Sequence, residues 1–176
     1  KKLLADAGYP DGFSITLGTP NDRYINDGEV AQAVAQMWTR VGVKTSIDAM
    51  TSSTFFSRRN KFEFAAYLAG WGASTGEMGS PLKALVATAN KTTGYGATNK
   101  TGYSNKAFDE SLARALSTVD DKEREELLRE TSRTAMGDWA IIPLHFEVTP
   151  WAMKASISYK PRVDQYTLPA DVTSAK

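Results

Sequence analysis

An α/β fold, a sheet flanked by helices, is what this sequence predicts, and three observations predict it. Strand-like and helix-like patterns alternate through the first half of the chain, from "FSITLGTP" to a helical stripe to "VKTSIDAM". Helix caps and breakers punctuate the alternation at the expected places. A third run, "FEFAAYLAGW" (Phe62–Trp71), is apolar on both faces, which suits a central strand. At 176 residues the chain has the length of a single domain, 1–176, with a real core.

The elements follow in order. Lys2 to Ala7 close a short helix that Gly8 stops and Pro10 keeps from resuming. Phe13–Pro20 alternates as a strand. Asn26 and Glu29 fit a capping box, and Val30, Val34, Met37, Trp38 and Val41 recur at helical spacing behind it. Gly42 suits the left-handed position past the helix end. Val43–Met50 is a second strand, with Val43, Thr45, Ile47 and Ala49 on one face, and "SSTFFSRRN" is a short helix. Ser80 and Pro81 suit a helix start, as cap and first-turn proline. The region from Asn90 to Asn105 has no period and reads as a long loop, a length that is usually functional or mobile. Phe108, Leu112, Ala115, Leu116 and Val119 form one helical stripe. Asp120 and Glu123 form a second capping box, opening a charged helix with Glu125 and Arg129 at i,i+4. "AIIPLHFEV" and "WAMKASIS" read as two strands around Pro150, and the tail 159–176 carries prolines and no period.

Composition removes several function classes. Lys and Arg number 21 against 20 Asp and Glu, a net charge of +1, so the basic excess of a nucleic-acid binder is missing. No cysteine is present, so neither a disulfide framework nor a thiolate site exists. No run approaches the roughly 18 apolar residues of a membrane helix. The first residues, "KKLLADAGYPDGF", already lie inside an amphipathic pattern without an initiator Met, as in a segment of something longer.

The loop "GWGASTGEMGS" (Gly70–Ser80) is the first candidate site. It fails the dinucleotide spacing G-x-G-x-x-G. It also fails as a phosphate loop, because Glu77 stands where a lysine would neutralise phosphate. What remains is a strand end and a flexible turn, and ligands of open α/β sheets collect at the carboxyl ends of strands. Trp71 can stack on a ligand there or pack into the core, and N–H groups of Gly72–Thr75 can meet a ligand's polar end. Arg23, just past a strand end, can clamp a carboxylate with its guanidinium fork or pair with Asp22 or Asp27. His145 is the only histidine, and with no Cys and no second His at ligand spacing it makes a poor metal site. Asn90 and Asn99 begin N-x-[ST] sequons. Neither a metal nor a cofactor is expected.

The pieces "LLADAGYPDGF", "AQAVAQMWTRVGVKTSIDAM", "AGWGASTGE", "YSNKAFDESLARAL" and "IIPLHFEVTPWAMK", in that order, resemble the C-terminal part of the family 5 extracellular solute-binding proteins. These are the peptide, dipeptide and nickel receptors of bacterial ABC importers, and the resemblance runs from Leu3 to about Leu168. It implies one lobe of a type II periplasmic-binding-protein fold, a mixed sheet flanked by helices. The small solute would be trapped against a missing N-terminal lobe, and the closed receptor would dock on a membrane permease from the periplasm or the outer face of the membrane. The tail from Tyr159 would be extended, loosely packed and directed back to that lobe. The resemblance places the family's W-x-A-D loop on Trp71, Gly72, Ala73 and Ser74, next to Thr75. Ser74 stands where the peptide receptors have the aspartate that takes the solute's amino group, and Glu77 is a substitute charge three residues on. Pro20-Asn21-Asp22-Arg23 matches in form the P-x-x-R segment whose arginine holds a carboxylate, and His145 becomes a supporting residue. Two other classes stay open: a small serine hydrolase using His145 with Ser74 or Ser104, and a bare interaction module.

Overall fold

The structure is a computed structural model that describes residues 1–162 and 164–175. Val163 and Lys176, both within the expected tail, lie outside the described residues. The chain divides into two compact units, Lys1–Gly70 and Trp71–Lys176, and each is described by itself.

The first unit is a three-stranded sheet with helices on both faces. After α1 (Lys2–Asp6), β1 (Phe13–Pro20) runs parallel to β2 (Val43–Met50) over its whole length, from Phe13 beside Val43 to Pro20 beside Met50. The third strand, β3, is only Ala66–Tyr67, parallel to β1 at Leu17 and Gly18. The order β2-β1-β3 therefore puts β1 at the centre, and its residues from Leu17 to Pro20 are buried. This corrects the central role expected of Phe62–Trp71. Phe62 takes a left-handed conformation (φ 59°), and the Phe62 and Glu63 N–H groups bond back to the last turn of the preceding helix. The start of the apolar run thus serves as a helix exit. The sheet is wholly parallel rather than mixed, as expected of strands joined by helical crossovers.

Helix α2 (Asp27–Val41) packs on β1 and β2 through Ala31 and Ala35. It ends on Gly42 at φ 115°. Gly12 lies so close to that turn that a Cβ on it would stand 1.8 Å from the Gly42 carbonyl oxygen, so only glycine lets β1 start there. Helix α3 (Ser52–Asn60) brings the fully buried Phe55 against Phe64 (5.5 Å, stacked) and Tyr67 (6.1 Å, edge-on).

The second unit is built on an αα-hairpin, α5 (Lys106–Ser117) and α6 (Asp121–Gly137). A one-turn helix α4 (Gly79–Pro81) and a wide π turn (Leu82–Val86) lead into it. Leu82, Val86, Phe108, Leu112, Leu127 and Ala135 make the core. Asp120 accepts the Glu123 N–H at 2.9 Å, one half of the expected capping box, while the Glu123 carboxylate faces Arg114 at 3.4 Å, and Glu125 pairs with Arg129 at 2.6 Å. Asn105 caps α5 by accepting the Phe108 N–H (3.1 Å). Val119 leaves the expected stripe: the helix ends at Ser117, and Val119 is 92% exposed. Asp138 closes the far end of the hairpin, accepting from the Tyr103 hydroxyl (2.6 Å) and the Asn105 amide (2.7 Å).

Of the two strands expected around Pro150, the first does not form and the second keeps only its last residues, Ile157 and Ser158. Residues 141–154 find no ladder partner among the described residues, and Phe146 and Val148 are exposed. The tail, in contrast, is more ordered than its composition suggests. Strand β4 (Ile157–Tyr159) pairs antiparallel with β5 (Val172–Ser174), Ser158 facing Thr173, and the buried Tyr159 donates its hydroxyl to the Tyr166 carbonyl at 2.7 Å.

Phe108→Ala should cost about 3–5 kcal/mol in urea unfolding, because a fully buried ring leaves a cavity, whereas Val119→Ala should be nearly silent. Burial, and then the hydrogen bond to Asp138, push the Tyr103 hydroxyl up to about 12. Its neutral form is therefore favoured by folding, and that contribution is lost as pH rises from the ordinary tyrosine value through the raised one. Ultraviolet titration should show a tyrosinate component near 12 that the Tyr103→Phe variant lacks.

Candidate ligand-binding site

The loop that opens the second unit is held at both ends and open in the middle. Trp71 is 42% exposed, neither core nor free, and its indole N–H donates to the Ser80 hydroxyl at 3.2 Å. Ser80, expected as a helix cap, serves instead as this anchor, and the helix begins at Gly79. The Ala73 carbonyl accepts the Gly76 N–H at 2.9 Å and closes a turn that ends on a left-handed Gly76 (φ 75°). Within it, the N–H groups of Gly72, Ala73, Ser74 and Thr75 and the hydroxyls of Ser74 and Thr75 have no partner among the described residues. Six donors thus face water on one short stretch of backbone.

Glu77 ends that stretch and belongs to Arg124. The guanidinium donates to both carboxylate oxygens, at 2.6 and 2.8 Å, and also to the Ala115 carbonyl at 3.0 Å. Gly79 makes room: a Cβ there would come within 2.8 Å of the Glu77 carboxylate and 3.0 Å of Leu116. The hydrogen bonds from Arg124 hold the Glu77 carboxyl below its ordinary value, against the opposing pull of burial. Glu77 is therefore spent within the fold and does not replace the acid expected at Ser74.

Arg23 lies in the first unit. Both acids offered as its partners are taken by backbone. Asp22 accepts the Ser52 N–H at 2.7 Å, at the first residue of α3. Asp27, 5% exposed, accepts the N–H groups of Arg23 (3.0 Å), Tyr24 (3.1 Å) and Gly28 (2.9 Å). Asp27 thereby replaces the expected Asn26–Glu29 capping box, and Asn26 is left-handed at φ 55° with no capping bond. The Arg23 guanidinium rests over the Tyr24 ring at 5.3 Å and makes no ion pair among the described residues. Tyr24 is seated in turn on Gly70, its hydroxyl 3.5 Å from the Gly70 carbonyl oxygen.

The serine-hydrolase arrangement is not assembled. His145 is exposed and has no hydrogen bond among the described residues, and the Ser104 hydroxyl pairs with Thr88 at 2.9 Å. Among the described residues no three His, Asp or Glu side chains converge as metal ligands, and no helix is long and apolar enough to cross a membrane. Asn99, which begins one of the two sequons, is buried, with its amide N–H groups on the carbonyls of Val86, Ala87 and Tyr103 at 2.8–3.1 Å. Two shallow grooves flank the sheet of the first unit, one along α2 and β2 and one around Arg58 and Phe64, and neither is lined by Arg23. Sequence reasoning missed Arg124 as the partner of Glu77, because 47 residues separate them and no local pattern joins them. The capping role of Asn105 was missed as well, although an asparagine immediately before the periodic run is the signal that could have found it.

Residues 1–93 match the bacterial extracellular solute-binding proteins, family 5 (middle region), and the chain belongs to that family. It is 34% identical over 153 residues to the glutathione-binding protein GsiB of Salmonella typhimurium, covering 84% of this chain and 29% of that protein. Its fold superimposes on HbpA2 from Haemophilus parasuis with a TM-score of 0.82 at 23% identity, over 99% of this chain and 34% of that one. The periplasmic binding protein DppA from Helicobacter pylori, solved with the peptide STSA, matches at a TM-score of 0.68 and 25% identity, over 79% of this chain and 26% of that one. The chain thus spans less than a third of the length of the curated relative GsiB.

If Arg124 is what depresses the Glu77 carboxyl, the pair stabilises the fold above the ordinary glutamate value, and the contribution fades as pH falls through the depressed one. Urea midpoints measured from neutral to acid pH should therefore fall more steeply in the native chain than in the Glu77→Gln variant. Equal slopes would show that the pair adds nothing.

Proposed function

We propose that this chain is the solute-capturing lobe of a bacterial ABC-importer receptor, working in the periplasm or on the outer face of the membrane. The observation that carries the reading is the loop of unengaged donors at Gly72–Thr75 in a member of family 5. The solute class it favours is a short peptide or peptide-like acid, since GsiB is named for glutathione and DppA was solved with STSA. Trp71 would supply an apolar wall. The amides of Gly72, Ala73, Ser74 and Thr75 would donate to carbonyl or carboxylate oxygens. With Ser74 in place of an acid and Glu77 held by Arg124, the loop offers donors and no free carboxylate, so a solute's ammonium would find its partner elsewhere. Arg23, without a carboxylate partner in its own unit, is proposed on those surroundings as an anion contact. The receptor would perform no chemistry on its solute. It would close over it by rigid-body motion and present the closed form to a permease. The tail from Tyr159 would return toward the lobe that lies N-terminal in the longer relatives.

Native mass spectrometry of the complete receptor, purified without denaturation, should show a bound small molecule that unfolding releases. A receptor free of any such mass, and unmoved in melting temperature by a library of di- and tripeptides, would overturn the proposal. A lone lobe lacks the opposing wall, so calorimetry on this chain should give at best millimolar binding. Micromolar affinity would mean that these residues hold the entire site.

A further inference from the structure

Arg23 is an exposed cation that the first unit holds at two points and pairs with no acid. Its backbone N–H is bound at 3.0 Å by the buried Asp27 carboxylate, which takes the Tyr24 N–H (3.1 Å) as well. Its guanidinium lies over the Tyr24 ring, 5.3 Å from Cζ to the centroid, and has neither an ion pair nor a hydrogen bond among the described residues. Arg133 on α6 shows the ordinary case, exposed and with neither ring nor acid upon it among the described residues. The Tyr24 ring is fixed in turn. One edge of it rests on Gly70, where a Cβ would stand 2.8 Å from Cε1, 3.0 Å from Cδ1 and 3.4 Å from Cζ of the ring. Gly70 does not take a left-handed conformation, so its backbone gives no reason for glycine, and the ring does. The hydroxyl, 3.5 Å from the Gly70 carbonyl oxygen, is at the limit of a hydrogen bond and adds little.

What the arrangement does follows from the shape of arginine. A ring covers one face of the guanidinium by cation–π contact and leaves uncovered the edge, where the N–H donors lie in the plane. Parallel donors in one plane fit the two oxygens of a carboxylate. Arg23 is exposed, so that edge opens to solvent, just beyond the carboxyl end of β1, where ligands of parallel sheets collect. Asp22 and Asp27, the nearest acids in sequence, are turned to backbone N–H groups and leave the edge free. A long side chain loses rotamer freedom when an anion fixes it, and one already seated on a ring has less to lose.

We propose that Tyr24 is a positioning residue for solute recognition: seated on Gly70, it holds the Arg23 guanidinium edge-outward for an acidic group of the solute. The solute half of this rests on the receptor reading above, and the ordering of Arg23 by Tyr24 does not. In the 15N-labelled chain, the side-chain Nε–Hε resonance of Arg23, assigned by its loss in Arg23→Gln, should show a clearly higher heteronuclear NOE than that of Arg133. Tyr24→Leu should bring it down to the Arg133 value, and Tyr24→Phe should keep it. Gly70→Ala, which pushes the ring without touching Arg23, should lower it too. An Arg23 NOE no higher than that of Arg133, or one unchanged in Tyr24→Leu, would overturn the proposal. In the complete receptor, the library peptide that raises the melting temperature most is compared with its C-terminal amide by calorimetry. The acid should bind more tightly, and Tyr24→Leu should cut the acid-to-amide affinity ratio about fivefold, whereas Tyr24→Phe should preserve it. In the double variant Tyr24→Leu/Arg23→Gln the ratio should be no lower than in Arg23→Gln alone, because Tyr24 acts through the guanidinium. A ratio that Tyr24→Leu leaves intact would sink the positioning role and leave the receptor reading standing. A receptor that no peptide binds would sink that reading and the solute half with it, while the NOE alone would uphold or overturn the ordering.

Discussion

Arg124 reaches from the first turns of α6 to both oxygens of Glu77, and the second unit's presented surface depends on that reach. A loop with four glycines between Gly70 and Gly79 has little reason to hold one shape. The two-pronged bond fixes its far end to the hairpin, and the Trp71 indole fixes its near end to Ser80. The donors between are held in place without being consumed. The same bond decides what the loop is not: by claiming the only acid from Gly70 to Ser80, Arg124 leaves a surface of donors. A polar recognition surface is most useful when its own fold does not satisfy it.

The first unit works by a similar division of labour. Its central strand buries Leu17 to Pro20 between α2 and α3, which sets where the strand ends and where Arg23 emerges. Asp22 and Asp27, one on each side of that arginine, turn their carboxylates to backbone N–H groups. Consecutive arginines on α3 then separate into a paired and an unpaired one. In both units, charges that look interchangeable in the sequence divide into those that build and those left over.

What could be read from the sequence was local. Strands Phe13–Pro20 and Val43–Met50, helix Ser52–Asn60 and the stop at Gly42 all have their expected bounds, because each is written in residues next to one another. Failures came where an element needs a distant partner. Apolar alternation in residues 141–148 says that a strand can form, and nothing about whether an edge is there to receive it. Phe62–Ala65 looked like strand because its apolar character was real, but Phe64 spends it on stacking with Phe55. The family was legible from the order of five short motifs. The loop was legible as a place, but the fate of Glu77 was not, since it is decided by a residue on another helix.

The buried Asn99 carries a consequence for the ageing of the molecule. Its amide nitrogen satisfies three carbonyl oxygens from two segments, and so ties the π turn to the loop that precedes α5. Deamidation would exchange that nitrogen for an oxygen and leave a carboxylate facing the same three carbonyls. Acceptor would then meet acceptor at a buried position, with a new negative charge there. The change adds about one mass unit and turns the three donated bonds into repulsions, while the bonds that Asn99 Oδ1 accepts from Thr101 would remain. The tie between the π turn and that loop therefore depends on the chemical integrity of a single amide, and burial shields that amide from hydrolysis.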